Sequence, residues 1–141
     1  MSVYNLNRFI DAQALQYEDA ISEIENGLKV SQWMWFIFPQ LKGLGKSETA
    51  NYYGIEDINE AREYLAHPIL GNRLIESTVA ILSLNENDPT VILGDVDALK
   101  LRSSMTLFAQ VSENPIFKQV IDKYFNGKMD ETTLSLLRNK Q

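Results

Sequence analysis

The chain contains no cysteine, which excludes disulfides, thiolate zinc sites and a cysteine nucleophile. It has one histidine, so a metal site built from several imidazoles is not expected either. The longest unbroken apolar run covers only six residues, 33–38, whereas a transmembrane helix needs about 20. The first residues lack the basic and apolar segments of a secretory signal. These absences predict a cytoplasmic protein that does not span a membrane.

Positive charge is also scarce. Thirteen lysines and arginines face nineteen acidic residues, and the net charge is −6. No segment concentrates the basic residues, so the chain would repel a phosphate backbone, and we expect no nucleic-acid partner. The shares of hydrophobic residues (45%) and charged residues (23%) are those of globular proteins. A length of 141 residues fits a single domain, 1–141.

Helical periodicity is the strongest pattern that is present. Apolar residues recur at three- and four-residue steps in four long segments, and almost no segment alternates with a period of two. Residues that cap helices precede several of these segments: Ser47, Asp57, Asp95 and Asp130. Segments 33–38 and 90–93 fit either a helical turn or a short strand. The sequence therefore predicts an all-α, compact bundle of six to seven helices, with room for one very short strand pair.

Several phrases of the sequence are distinctive when they are taken together. They are RFIDAQ at 8–13, WMWFIFPQ at 33–40, GLGKS at 43–47, HPILGNRL at 67–74, KLRSSMTLF at 100–108 and YFNGKMDETTLSLL at 124–137. Over nearly the whole chain they resemble the domain-of-unknown-function 1810 family of small bacterial proteins. The resemblance implies a mainly helical fold and brings no assigned activity. Gln32 stands where the family pattern leads us to expect histidine, so no imidazole chemistry is implied there.

The GLGKS phrase is similar to the end of a P-loop. Gln40 stands where that motif requires glycine, and no clear strand precedes the phrase, so an ATPase is not expected. We predict an ordered turn in which Gly43 and Gly45 supply positive φ angles. Ser47 would cap the next helix, and Lys46 beside its free N–H groups could hold an anion.

The aromatic residues at 33–38 have two interpretations. Large aromatic side chains fill cores, and core packing is favoured for Trp33, Trp35, Phe36 and Phe38. The alternative is a stacking wall for a ring-bearing ligand, because the run ends abruptly at Pro39 and Gln40 and a glycine-containing loop follows.

The helix predicted from Asp95 contains a conflict. Plotted at 100° per residue, its apolar stripe includes three polar residues beside Val96, Leu99, Leu107 and Val111: Lys100, Ser103 and Ser104. The hydroxyls could bond back to carbonyls one turn earlier while the lysine reaches solvent. Alternatively, Lys100 is the counter-charge for an anionic ligand, or forms a Ser–Lys dyad with one of the serines.

These observations predict a domain that binds a small anionic or nucleotide-like ligand. The predicted ligand-binding residues are Trp33, Trp35, Gln40, Gly43, Gly45, Lys46, Ser47, Lys100, Ser103 and Ser104. No catalytic residue is identified, and we expect neither a metal nor a cofactor. A hydrolase or transferase using the same pocket, and a protein–protein adaptor without a pocket, are the alternatives. The oligomeric state is left open.

Overall fold

A computed structural model describes residues 3–139 of the chain. This part of the chain forms nine helices: α1 (Asn7–Glu25), α2 (Met34–Ile37), α3 (Glu48–Tyr53), α4 (Ile58–Ala66), α5 (Leu70–Leu82), α6 (Pro89–Leu93), α7 (Asp95–Ala109), α8 (Ile116–Phe125) and α9 (Glu131–Asn139). The all-α prediction is confirmed. The count exceeds six to seven because both ambiguous segments form short helices, α2 and α6. Leu41 and Ile55 pair in an isolated parallel β-bridge.

The predicted helix starts are mostly confirmed. The side chain of Ser47 accepts a hydrogen bond from the Ala50 N–H, and that of Asp57 accepts one from the Glu60 N–H. The prediction for Asp95 is wrong, because this residue is already the first of α7. Gly94 ends α6 and begins α7 with a φ of 85°, so the cap position between the two helices has no side chain.

Aromatic side chains connect the helices at the centre of the domain. The Phe9 ring of α1 meets the Tyr64 ring of α4 edge-on, with centroids 5.0 Å apart. Tyr64 continues to Phe108 of α7 at 5.5 Å, and Phe108 to Phe117 of α8 at 5.9 Å. Helix α8 packs against both α5 and α7, while α1 packs on α5 and α9 on α7. Within residues 3–139 no helix is long and apolar enough to cross a bilayer.

The aromatic segment 33–38 belongs to this core. Trp33, Phe36 and Phe38 are buried, which confirms the favoured core-packing interpretation for these three residues. Trp35 differs, because it is only partly buried and packs at the edge of the core. The two tryptophans of the segment therefore have different environments: Trp33 is fully buried and Trp35 is partly exposed.

Side chains of α1 bond the backbone of this segment and of the stretch that leads into it. The Gln13 amide donates to the Phe36 carbonyl at 2.7 Å and to the Tyr64 hydroxyl at 3.0 Å. One Glu23 oxygen accepts from the Val30 N–H at 2.6 Å and from the Ser31 N–H at 2.8 Å. A buried peptide group without a partner is costly, so the Gln13 bond helps to keep the segment inside the domain, while the Glu23 bonds hold the more exposed residues 30–31 against α1.

Glu23 also accepts a hydrogen bond from the Trp33 indole at 2.9 Å and one from the Ser31 hydroxyl. Burial alone would raise the pKa of its carboxyl group, but the donated bonds from Ser31, Val30 and Trp33 outweigh burial and lower the pKa to about 2. The carboxylate therefore stays ionised and tethers the start of the aromatic segment to α1.

We predict that Trp33→Ala lowers the free energy of unfolding by about 3–5 kcal/mol, because it leaves a large cavity in the core. Trp35→Ala should cost less, since part of its ring is already exposed. Urea unfolding of both variants checks the order. Equal midpoints would contradict the different burial of the two indoles.

We predict that Glu23→Gln destabilises the protein by about 1 kcal/mol at neutral pH. The effect is small because water screens the charge of this partly exposed group. The folded-state pKa lies below the ordinary value of 4.5, so the contribution of Glu23 is present above that pH and is lost as the pH falls towards 2. The difference from wild type should therefore shrink on acidification. Urea midpoints across this window measure it, with the exposed Glu18→Gln as control. A difference that stays constant with pH would refute the assignment.

Candidate functional site

A groove of about 410 Å³ lies between the segment after α2, the first half of α7 and the start of α9. We call it the α7 groove. Its lining combines apolar and polar side chains: Gln40, Leu44, Gly45, Val96, Leu99, Lys100, Ser103, Asp130 and Thr132. The volume falls within the range of small-molecule sites, which are about 300–1,000 Å³.

The loop that forms one wall is fixed by backbone pairing. The Lys42 N–H donates to the Ile55 carbonyl at 2.8 Å, and the Ile55 N–H donates to the Gln40 carbonyl at 2.9 Å. Gly43 turns the chain with a φ of 106°, as predicted. Gly45 does not have positive φ, so that prediction is wrong. Glycine is required at this position for steric reasons, because a Cβ there would lie 2.5 Å from the Cβ of Ala50.

The predicted apolar stripe of α7 is right for Leu107, which is fully buried, and wrong in the first half of the helix. Val96 and Leu99 are 67% and 61% exposed, so their assignment to the inner face is wrong. Leu101 and Met105, which the predicted stripe left out, are fully buried. The cause is that the second half of the helix is enclosed by its neighbours, whereas the first half lies at the surface. Val96 and Leu99 therefore line the groove.

Lys100 has two partners beside the groove. Its Nζ lies 4.7 Å from the centroid of the Trp35 ring and 3.6 Å from Asp97 Oδ1. The second oxygen of Asp97, Oδ2, lies 2.8 Å from Lys29 Nζ. Lys29 in turn lies over Trp33, 5.2 Å from the ring centroid. Two lysines and two tryptophans are thus arranged around one carboxylate.

Ser103 bonds away from Lys100. Its hydroxyl lies 3.1 Å from the Leu99 carbonyl and 3.2 Å from Asp130 Oδ2. The carbonyl contact is the one predicted for a serine in a helix. Asp130 Oδ2 also accepts the Thr133 N–H at 3.0 Å, so the predicted cap of α9 is confirmed. Because the hydroxyl proton points to a carbonyl or a carboxylate, this geometry does not activate Ser103 through the lysine.

The remaining part of the groove depends on polar contacts of α7 with the segment before α9. The Arg102 guanidinium donates to the carbonyls of Lys128 and Met129, at 2.7 and 2.9 Å. The Thr106 hydroxyl accepts the Asp130 N–H at 2.9 Å. These bonds hold Asp130 and Thr132 at the edge of the groove.

The structure brings four of the predicted residues into the lining: Gln40, Gly45, Lys100 and Ser103. Trp35 contributes through its contact with Lys100. Trp33 and Ser104 have no exposed surface, so they cannot contact a ligand in the groove. Three residues belong to the adjacent loop but are not among the lining side chains: Gly43, Lys46 and Ser47.

Sequence reasoning missed several groove residues, namely Leu44, Asp130 and Thr132, and it took Val96 and Leu99 for core residues. It also missed the role of Asp97 and Lys29. The spacing of Asp97 and Lys100, three positions apart on one helix, was a usable signal for their pairing. No local signal indicates Lys29, which lies far from α7 in the sequence.

A second cleft of about 540 Å³ adjoins the start of α1. Arg8 lines it, but its guanidinium already donates to the carbonyls of Asn5, Tyr52 and Gly54 and to Glu60 at 2.8 Å. The charge of Arg8 is therefore used internally, and the α7 groove is the stronger candidate. Among residues 3–139 no group of three or more potential metal ligands comes together.

Comparison with known proteins supports the helical fold described above. The model of the family described as "Protein of unknown function (DUF1810)" matches residues 3–137. The chain is also similar to the crystal structure of a conserved hypothetical protein, Rv1873, from Mycobacterium tuberculosis. The two share 43% sequence identity over 97% of this chain and 99% of the other, with a TM-score of 0.95. No curated protein matches.

We predict that Gly45→Ala destabilises the protein by about 1–3 kcal/mol, because the new methyl group would overlap Ala50. The paired variant Gly45→Ala/Ala50→Gly should recover part of this loss, less the helix propensity that glycine removes from α3. Thermal unfolding of the single and double variants measures both effects. Failure of the double variant to recover any stability would show that the contact with Ala50 is not the constraint.

Proposed function

The chain belongs to the DUF1810 family, and for this member we propose that the α7 groove binds a small ligand that joins an anionic group to an apolar body. A phosphate ester of a ring-bearing compound, such as a nucleotide, meets both requirements. The lack of cysteine is consistent with the cytoplasm as the place where it acts.

The observation that carries the proposal is the charge balance around Lys100. Lys29 and Lys100 share one carboxylate, that of Asp97, so one positive charge is in excess. The three side chains are only 8%, 20% and 18% exposed, respectively, so water screens this excess poorly. A bound anion at Lys100 would balance this local positive charge.

The other groups of the groove support the same ligand class. Gln40 offers a neutral polar group in the same groove as Lys100, while Leu44, Val96 and Leu99 offer an apolar wall. The carboxylate of Asp130 lies at the N-terminus of α9, where the helix dipole and the Thr133 N–H compensate its charge. The groove therefore has one polar side for an anion and one apolar side for the rest of a ligand.

We predict that phenyl phosphate binds about tenfold more tightly than inorganic phosphate, because the apolar wall contacts only the ring. Both probes should raise the melting temperature and shift the NMR signal of the Trp35 indole N–H. Lys100→Met should abolish both responses while retaining the fold, since methionine preserves the apolar stem. Leu99→Ser should remove only the advantage of the phenyl group.

Two matched variants serve as controls for this experiment. Lys118→Met removes a charge from an exposed lysine of α8, outside the groove, and Leu15→Ser removes an exposed leucine from α1. Neither should change the response to either probe. The proposal is refuted if wild type responds to neither anion, or if Lys100→Met responds as wild type does.

A further inference from the structure

We infer that Lys29, which does not line the α7 groove, sets the affinity of the groove for anions by occupying Asp97 and leaving the charge of Lys100 available. This inference rests on the proposed function of the groove. It assigns to Lys29 the role of a positioning residue, since Lys29 acts through Asp97 and Lys100 and not through contact with a ligand.

The first support is the unequal sharing of Asp97. Lys29 Nζ lies 2.8 Å from Oδ2, a hydrogen-bonding distance, whereas Lys100 Nζ lies 3.6 Å from Oδ1. The closer pair is the stronger one, because the Coulomb energy falls with distance and the short contact adds a charge-assisted hydrogen bond. Asp97 is therefore mainly the partner of Lys29, and its interaction with Lys100 is the weaker of the two.

The second support is that Lys29 is fixed in place. Its backbone N–H donates to the Ile92 carbonyl at 2.8 Å, which joins the segment after α1 to α6. Its side chain is 8% exposed and its ammonium lies over the Trp33 ring. An ordinary surface lysine would lose side-chain entropy on pairing, whereas here the protein has already ordered the side chain.

Removal of Lys29 should redistribute the charges. Asp97 would then have Lys100 as its partner, the excess positive charge would disappear, and an anion would have to compete with a carboxylate for Lys100. An anion would therefore bind more weakly although every residue that lines the groove is unchanged.

The test compares phenyl phosphate affinity in wild type, Lys29→Met and Lys29→Met/Asp97→Asn. Lys29→Met should weaken binding about tenfold, because it removes one charge close to the groove. The double variant should bind nearly as wild type does, since the net charge around Lys100 is restored. If Lys29 served only to pack the segment, the second substitution would not restore affinity, and that result would overturn the inference.

A second measurement needs no ligand. Because Lys100 Nζ lies over Trp35, ring currents shift the resonances of the Lys100 ε-methylene protons. In Lys29→Met, movement of Lys100 towards Asp97 should change these chemical shifts, and Lys29→Met/Asp97→Asn should reverse the change. An unchanged Lys100 signal in folded Lys29→Met would overturn the inference. If wild type binds neither phosphate probe, the proposed function fails, but this measurement still decides the role of Lys29.

Discussion

The fold depends on supplying hydrogen-bond partners to the backbone around a buried aromatic segment whose own helix, α2, is a single turn. Burial of Trp33, Phe36 and Phe38 brings the peptide groups beside them into the domain, where each needs a hydrogen-bond partner. The Gln13 side chain of α1 provides one at the Phe36 carbonyl, and Glu23 of α1 bonds the stretch that leads into the segment. Helix α1 and the aromatic segment therefore stabilise each other. Together they fix the position of the residues after α2 that line the α7 groove.

The same segment explains how an acidic protein holds a cation at its candidate site. It presents one face of Trp33 to Lys29 and one face of Trp35 to Lys100, at 5.2 and 4.7 Å. Aromatic faces attract ammonium groups with modest strength, and Asp97 adds a carboxylate between the two lysines. In the free protein each lysine contacts both an aromatic ring and the Asp97 carboxylate. The two lysines nevertheless carry one more charge than that carboxylate balances.

The fold was largely predictable from the sequence because helices follow local rules. Periodicity and caps such as Ser47 and Asp57 involve residues three or four positions apart. The site was only partly predictable. Lys100 and Ser103 drew attention as polar residues in an apolar stripe, which is right for the buried Leu107 but wrong for Val96 and Leu99, since neighbouring helices decide which part of α7 is enclosed. The link from Lys29 to Asp97 and the approach of Asp130 are tertiary contacts with no local pattern.

The position of Asp130 and Thr132 ties the groove to α9. Both residues belong to the groove and to the entry into that helix. Few residues of α9 are buried, and much of its attachment comes from Arg102, Ser103 and Thr106 of α7. Local release of α9 from α7 would therefore open one wall of the groove while the aromatic core stays packed. A ligand that contacts this wall binds only the form with α9 docked, so its binding would protect the helix against local unfolding.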